Sequence, residues 1–253
     1  MKIFGYECKR LLWNKFFIGI SVVLLFYGWQ VLDSVTILGV SHTAPFSPWS
    51  FGDYLSRMLP LLWIGALFFL TFFTSPKARR AAILTDAAPI SPRRYAFVRC
   101  AAALAGTILL TLAVLVLAAV FYGQYFGWHQ WGTLLLPALL TLAPPLLFAL
   151  GSGWLLGQAN PWLLYVWMLV PFLCRALPLP GGLGLLTGRF FTEYPLTLGT
   201  LDPPFAVPAV QVLSQCGILA AGVVCLLFCS RRRHGVSRAV GFPRSTRPRK
   251  HYP

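Results

Sequence analysis

Acidic residues are nearly missing from this chain. Its 253 residues hold six Asp and Glu against 21 Lys and Arg, and charged residues make up only 11%. No two carboxylates stand near one another in sequence, so general acid–base chemistry has few candidates. Residues 100–174 contain no Asp, Glu, Lys or Arg at all, whereas soluble domains are about a quarter charged. That run excludes an ordinary soluble fold.

Several catalytic and cofactor motifs are absent as well. There is no HExxH for a membrane metalloprotease. The tripeptide Gly151–Ser152–Gly153 lacks the GxSxG spacing of a serine nucleophile and reads instead as small residues at a close helix contact. None of the five lysines follows a glycine, so there is no Walker A loop, and any ATP used must be bound by another polypeptide. The six cysteines include no CxxC pair. Cys100, Cys174, Cys216, Cys225 and Cys229 lie in or at the ends of apolar runs, where a thiol behaves as a small apolar group. Cys225 and Cys229 share a helix face, but no third ligand joins them. No catalytic, cofactor-binding or metal-binding residue is therefore expected, and the chain does not read as an enzyme.

No small-x-small cleavage site follows the first apolar run, so it reads as a retained span and not a signal peptide. No internal repeat of the kind secondary carriers use is visible. Asp33, near the outer end of the first span, is the one acidic candidate for an intramembrane polar site. His129 lies amid Tyr122, Tyr125, Trp128 and Trp131, an interfacial aromatic belt.

What is abundant is apolar: 57% of the residues are hydrophobic and the mean hydropathy is +0.71. A membrane helix needs about 20 mostly apolar residues. Six runs qualify: Phe16–Leu38, Met58–Ser75, Cys100–Tyr122, Thr133–Leu156, Pro161–Leu177 and Pro208–Cys229. Only residues 157–160 separate the fourth from the fifth, which predicts a tight helical hairpin. Pro137, Pro144 and Pro145 predict a kink or break in the fourth. The expected fold is all-α: a six-helix transmembrane domain over 16–229, behind an N-terminal interfacial segment over 1–15 and ahead of a basic tail over 230–253.

The basic residues set the orientation. Eighteen of the 21 fall in three segments: Lys2, Lys9, Arg10 and Lys15 before the first span, Lys77, Arg79, Arg80, Arg93, Arg94 and Arg99 between the second and third, and Arg231, Arg232, Arg233, Arg238, Arg244, Arg247, Arg249 and Lys250 after the sixth. Six spans place all three on one side, with Arg57, Arg175 and Arg189 on the other. The positive-inside rule makes the crowded side cytoplasmic, with both termini there. Topology thus accounts for the net charge of +15, and no nucleic-acid-binding motif accompanies it. The tail reads either as a disordered arm held near anionic lipid or as a charge run that only fixes topology.

Two passages interrupt the apolar pattern. Outside, 178–207 mixes Pro and Gly with Leu, Phe and Tyr, too apolar for a solvated loop and too broken for a span, and reads as a re-entrant or membrane-resting cap beside the last span. Inside, 76–99 reads as a short helix across the cytoplasmic ends of two spans. Lys77 to Ala88 form about three turns, some 18 Å, with Ala81, Leu84 and Ala88 on one face and Arg79 and Asp86 on the other. Pro89 closes this helix. Ser91 is then placed as an N-cap with Pro92 at the first helical position of the next helix, anchored by Arg93, Arg94 and Arg99.

This arrangement resembles the membrane subunit of the type-two ATP-binding-cassette exporters. In that family a short helix is followed by a small residue, Pro, Ile or Val, Ser and a basic residue; the match falls on Leu84, Ala88, Pro89, Ile90, Ser91 and Arg93. The family's first segment is an interfacial elbow helix, and residues 1–17 are similar, with Phe4, Cys8, Leu11 and Leu12 on one stripe. One departure stands out: the family often carries a glutamate ahead of the short helix, and 74–82 has none.

The resemblance implies a permease in the bacterial plasma membrane that dimerises with an identical or different subunit. It further implies coupling to a separate cytoplasmic ATPase through Lys77, Arg79, Arg80, Ala81, Leu84, Asp86, Ala88, Pro89, Ile90, Ser91 and Arg93. A secondary transporter or a non-transporting membrane scaffold is the alternative.

Overall fold

The computed structural model describes residues 2–74, 92–177 and 181–239, with side chains over 3–74, 95–177 and 181–227. Every regular element among these residues is helical. Helix α1 is Lys2–Leu12 and α2 is Lys15–Ser34. They part at Asn14, whose side chain accepts from Phe16 N at 3.2 Å and so caps α2. A short 3-10 turn, Thr36–Leu38, closes this first hairpin arm.

Helix α3, Pro48–Thr74, is the hub, buried along nearly its whole length. It begins ten residues before the expected start at Met58, because the local signal there is a good one. Ser50 N donates to Ser47 Oγ at 3.2 Å, and Pro48 occupies the first turn, where a missing N–H costs nothing. Asp53 and Arg57, which precede the expected start at Met58, are therefore helical.

Two long helices run antiparallel to α3. On α2 the Phe17 ring stacks on Phe69 at 6.0 Å, while Gly28 meets Tyr54 and Met58. Helix α4, Pro92–Phe126, begins at the proline that the sequence marks as a first helical position. Its Arg99 lies over the Phe73 ring, and further along Tyr54 Oη donates to Val114 O at 3.3 Å.

Helix α5, Gly132–Ala159, is continuous through Pro137, Pro144 and Pro145. The expected break is absent, since neighbours packed on a membrane helix can satisfy the carbonyls that proline frees. The Gly151–Ser152–Gly153 passage is a packing device. A Cβ on Gly153 would meet Leu67 and Leu70 of α3, and Ser152 Oγ accepts from Trp167 Nε1 at 3.0 Å.

The next apolar stretch differs from the expected fifth span. It forms two seven-residue helices, α6 (Trp162–Met168) and α7 (Val170–Ala176), joined at Leu169. Pro171 at the start of α7 cannot donate to the preceding turn, which accounts for the break. The pair lies beside α3. Leu164 reaches the level of Leu67 and Leu70, Trp63 Nε1 donates to Trp167 O at 3.1 Å, and Arg175 Nη1 donates to Ser56 O at 3.3 Å. It thus climbs from Leu70 to Ser56, about 21 Å along α3 at 1.5 Å per residue.

Residues 181–207 fold as a 3-10 turn (Gly181–Leu183), α8 (Gly184–Thr187), α9 (Arg189–Thr197) and an irregular return. This cap is seated mainly on the first turns of α3. Trp49 is wholly buried among Phe190, Tyr194 and Phe205 and donates from Nε1 to Pro203 O at 2.9 Å. Gly52 lacks a Cβ where Phe191 lies against α3. The last helix, α10, is Ala209–Ala239 and packs mainly on α5. It runs ten residues past Cys229 into the basic tail, because extending a formed helix adds one bond per residue fixed.

Among the described residues, five helices are long and apolar enough to cross a membrane: Lys15–Leu38, Pro48–Thr74, Tyr95–Phe126, Gly132–Ala159 and Ala209–Leu227. Trp162–Ala176 is apolar but shorter. The chain has the architecture of a multi-pass α-helical membrane protein.

Candidate functional site

The chain leaves α3 at Thr74 and returns in α4 at Pro92, so residues 75–91 join the bundle at that end. Lys77, Arg79, Arg80, Ala81, Leu84, Asp86, Ala88, Pro89, Ile90 and Ser91 lie outside the described residues. Arg93 sits in the first turn of α4, and its side chain is outside them too. What is described is the joint between α1, α3 and α4 at that end of the bundle.

The joint is built around Glu7. On α1 the buried positions are Glu7, 1% exposed, and Leu11 one turn later, with Cys8 and Leu12 partly covered. Phe4, expected on the same stripe, faces outward with Ile3 and Tyr6. A carboxylate takes the central position because α4 supplies its partners. Tyr95 Oη donates to Glu7 Oε1 at 2.9 Å, Arg99 Nη2 donates to Tyr95 Oη at 2.8 Å, and Arg99 Nε lies 3.9 Å from Glu7 Oε1. From α1 itself Arg10 Nη1 donates to Glu7 Oε2 at 3.4 Å.

The Arg99 guanidinium is enclosed by rings, 4.1 Å from the centre of Tyr95 and 5.6 Å from that of Phe73. Arg99 is only 5% exposed, so this is a buried ion pair bridging α1, the last turn of α3 and the second turn of α4. An ion pair out of water holds only with matched geometry, and losing one partner leaves an uncompensated charge. The arrangement therefore ties three elements together. It contains no nucleophile poised beside a base. Burial, and then the Glu7 carboxylate beside it, push the Cys8 thiol above its ordinary value, away from the thiolate that a nucleophile needs.

Sequence reasoning placed Arg99 as a topological anchor and did not single out Glu7. A signal was present: Glu7 is the lone acid in the basic first segment, and Arg99 is the last charge before the charge-free run. Asp33 lies in the last turn of α2 and is exposed, with no ion pair among the described residues. A second buried carboxylate, Asp53 on α3, was likewise not singled out; it holds Arg57 Nε at 2.7 Å.

Among the described residues no three of His, Cys, Asp and Glu gather as a metal site. No family model, curated protein or solved structure matches this chain.

Proposed function

We propose that this protein is the permease subunit of an ATP-driven exporter, working with a separate cytoplasmic ATPase of the cassette type and with a second permease copy, identical or different. The observation that carries the reading is the Glu7–Tyr95–Arg99 joint. It ties an amphipathic N-terminal helix to the helix that emerges directly from 75–91. A push on that segment by a partner would reach α1, α3 and α4 at once. The exposed Ile3, Phe4 and Tyr6 of α1, and Trp13 just past its end, suit an interfacial helix, apolar side toward the acyl boundary.

Six crossings follow if the α6–α7 pair, together with the cap above it, counts as the fifth. The basic segments at both termini and at 77–99 then share the cytoplasmic side of a bacterial plasma membrane. The substrate path would run between two such subunits, and the ATP would be bound wholly by the partner.

The test is Leu84→Asp, which puts a charge on the face expected to dock and would have to be desolvated there. The expected result is loss of ATPase copurification and of transport at unchanged membrane abundance, with Arg79→Ala and Asp86→Ala close to wild type. Intact association and transport in Leu84→Asp would remove the exporter reading.

A further inference from the structure

Two of the three arginines that topology sets apart from the basic side line the same cavity, each partly exposed. Arg57 lies nine residues into the 27-residue α3, a third of the way along it and not at the helix end. Arg175, from α7, approaches the same turn and donates from Nη1 to Ser56 O at 3.3 Å. Asp53 pairs directly with only one of them. Its carboxylate, 2% exposed, holds Arg57 Nε at 2.7 Å, and among the described residues no carboxylate lies within 4.0 Å of Arg175. Two guanidiniums thus face one carboxylate in an apolar setting, an excess of one positive charge.

Both arginines line one cavity of about 380 Å³ between α2, α3 and α7. Its other walls include Val23, Tyr27, Leu61 and Phe172, which are apolar apart from the Tyr27 hydroxyl. Val23 and Phe172 are 55% and 45% exposed, so the cavity reaches the outer surface of the helices, where a membrane helix meets lipid. Ionisable groups at membrane depth are costly and face a partner or a pathway. Guanidinium forks match the oxygens of a phosphate in paired hydrogen bonds.

We infer that the Arg57–Arg175 cavity binds an anionic phospholipid, its phosphate between the two guanidiniums and its upper chain methylenes against Val23, Leu61 and Phe172. The phosphate supplies the missing negative charge, and the apolar walls distinguish an amphiphile from a free anion. The site stands whether or not the chain is an exporter subunit.

The experiment uses the full-length protein, purified and stripped of lipid in a zwitterionic detergent. It is offered dioleoylphosphatidylglycerol or dioleoylphosphatidylcholine, and bound lipid is counted by native mass spectrometry. Wild type should retain the glycerol lipid severalfold over the choline lipid. Arg175→Gln should bring it down to the choline level, while Arg189→Gln, a charge outside this cavity, should leave it unchanged. Val23→Trp fills the mouth without touching either arginine and should also abolish the preference, so the inference is tested even where Arg175→Gln fails to fold. Equal retention of the two lipids by wild type, or a preference that survives both Arg175→Gln and Val23→Trp, would overturn it. Displacement of the bound lipid by inorganic phosphate at the lipid's own concentration would also overturn it, since the site would then be one for free anions.

Discussion

Gly222 of α10 lies directly on Phe148 of α5: a Cβ at position 222 would sit 2.8 Å from Phe148 Cα and N, and one at Gly151 would collide with the Gly222 carbonyl. The two helices touch backbone to backbone there, as small residues allow in membranes. Gly222→Leu and Gly151→Leu should each lower the thermal unfolding midpoint of the detergent-purified protein clearly, because overpacking costs typically about 1–3 kcal/mol and backbone cannot yield as a side chain can. Gly217→Leu, on the same helix with nothing within 4 Å of its Cβ position, should not.

The buried ion pair predicts a non-additive pattern. Glu7→Gln leaves Arg99 buried without its counter-charge and should destabilise strongly, about 3–5 kcal/mol by analogy with broken buried pairs. Glu7→Gln combined with Arg99→Met should recover much of that loss, since the stranded charge is gone. Arg10→Ala should cost less than about 1 kcal/mol, because its side chain is 43% exposed and solvent screens the contact. Melting curves of wild type, both single variants Glu7→Gln and Arg99→Met, the double variant and Arg10→Ala decide the matter; an additive double variant would show that Glu7 and Arg99 do not act as a pair.

Cys8 offers a pH readout of the same joint. Its folded thiol is raised above 9.0 by burial and by Glu7. Between 9.0 and the higher folded value the unfolded chain loses this proton first, so the Cys8 contribution to stability is full below 9.0 and falls as pH rises through that window. In a variant with Cys8 as its sole cysteine, iodoacetamide labelling should reach half its maximal rate above pH 9.0. Glu7→Gln should move that midpoint down, and an unchanged midpoint would show that the carboxylate does not act on the thiol.

Crossing number can be read from accessibility. Single cysteines at Gly127 and Thr200, both in exposed connections, should react with an impermeant maleimide from outside intact cells. Cysteines at Thr85 and Ser245 should react only after permeabilisation. Thr200 labelled from the same side as Ser245 would mean that the α6–α7 pair does not carry the chain across.

Hydropathy and local caps carried much of this fold. The apolar runs and the proline start of α4 could be read directly, and Ser47–Pro48 carried the same start signal for α3, ten residues ahead of where the apolar run alone put it. These features depend on residues within a turn or two of one another, and transfer into an apolar phase adds residue by residue. The break at Leu169 and Pro171 also has a local cause, but its consequence, a shorter pair beside α3, depends on what α3 and α5 offer it. The two charge clusters lay beyond any local reading. Glu7 and Arg99 are separated by most of three helices, and Arg175 reaches Ser56 across more than a hundred residues. The cost of a buried charge depends on which helices become neighbours, and packing decides that; one-dimensional order had already determined that helices would form, where two of them would begin, and which segments would carry positive charge.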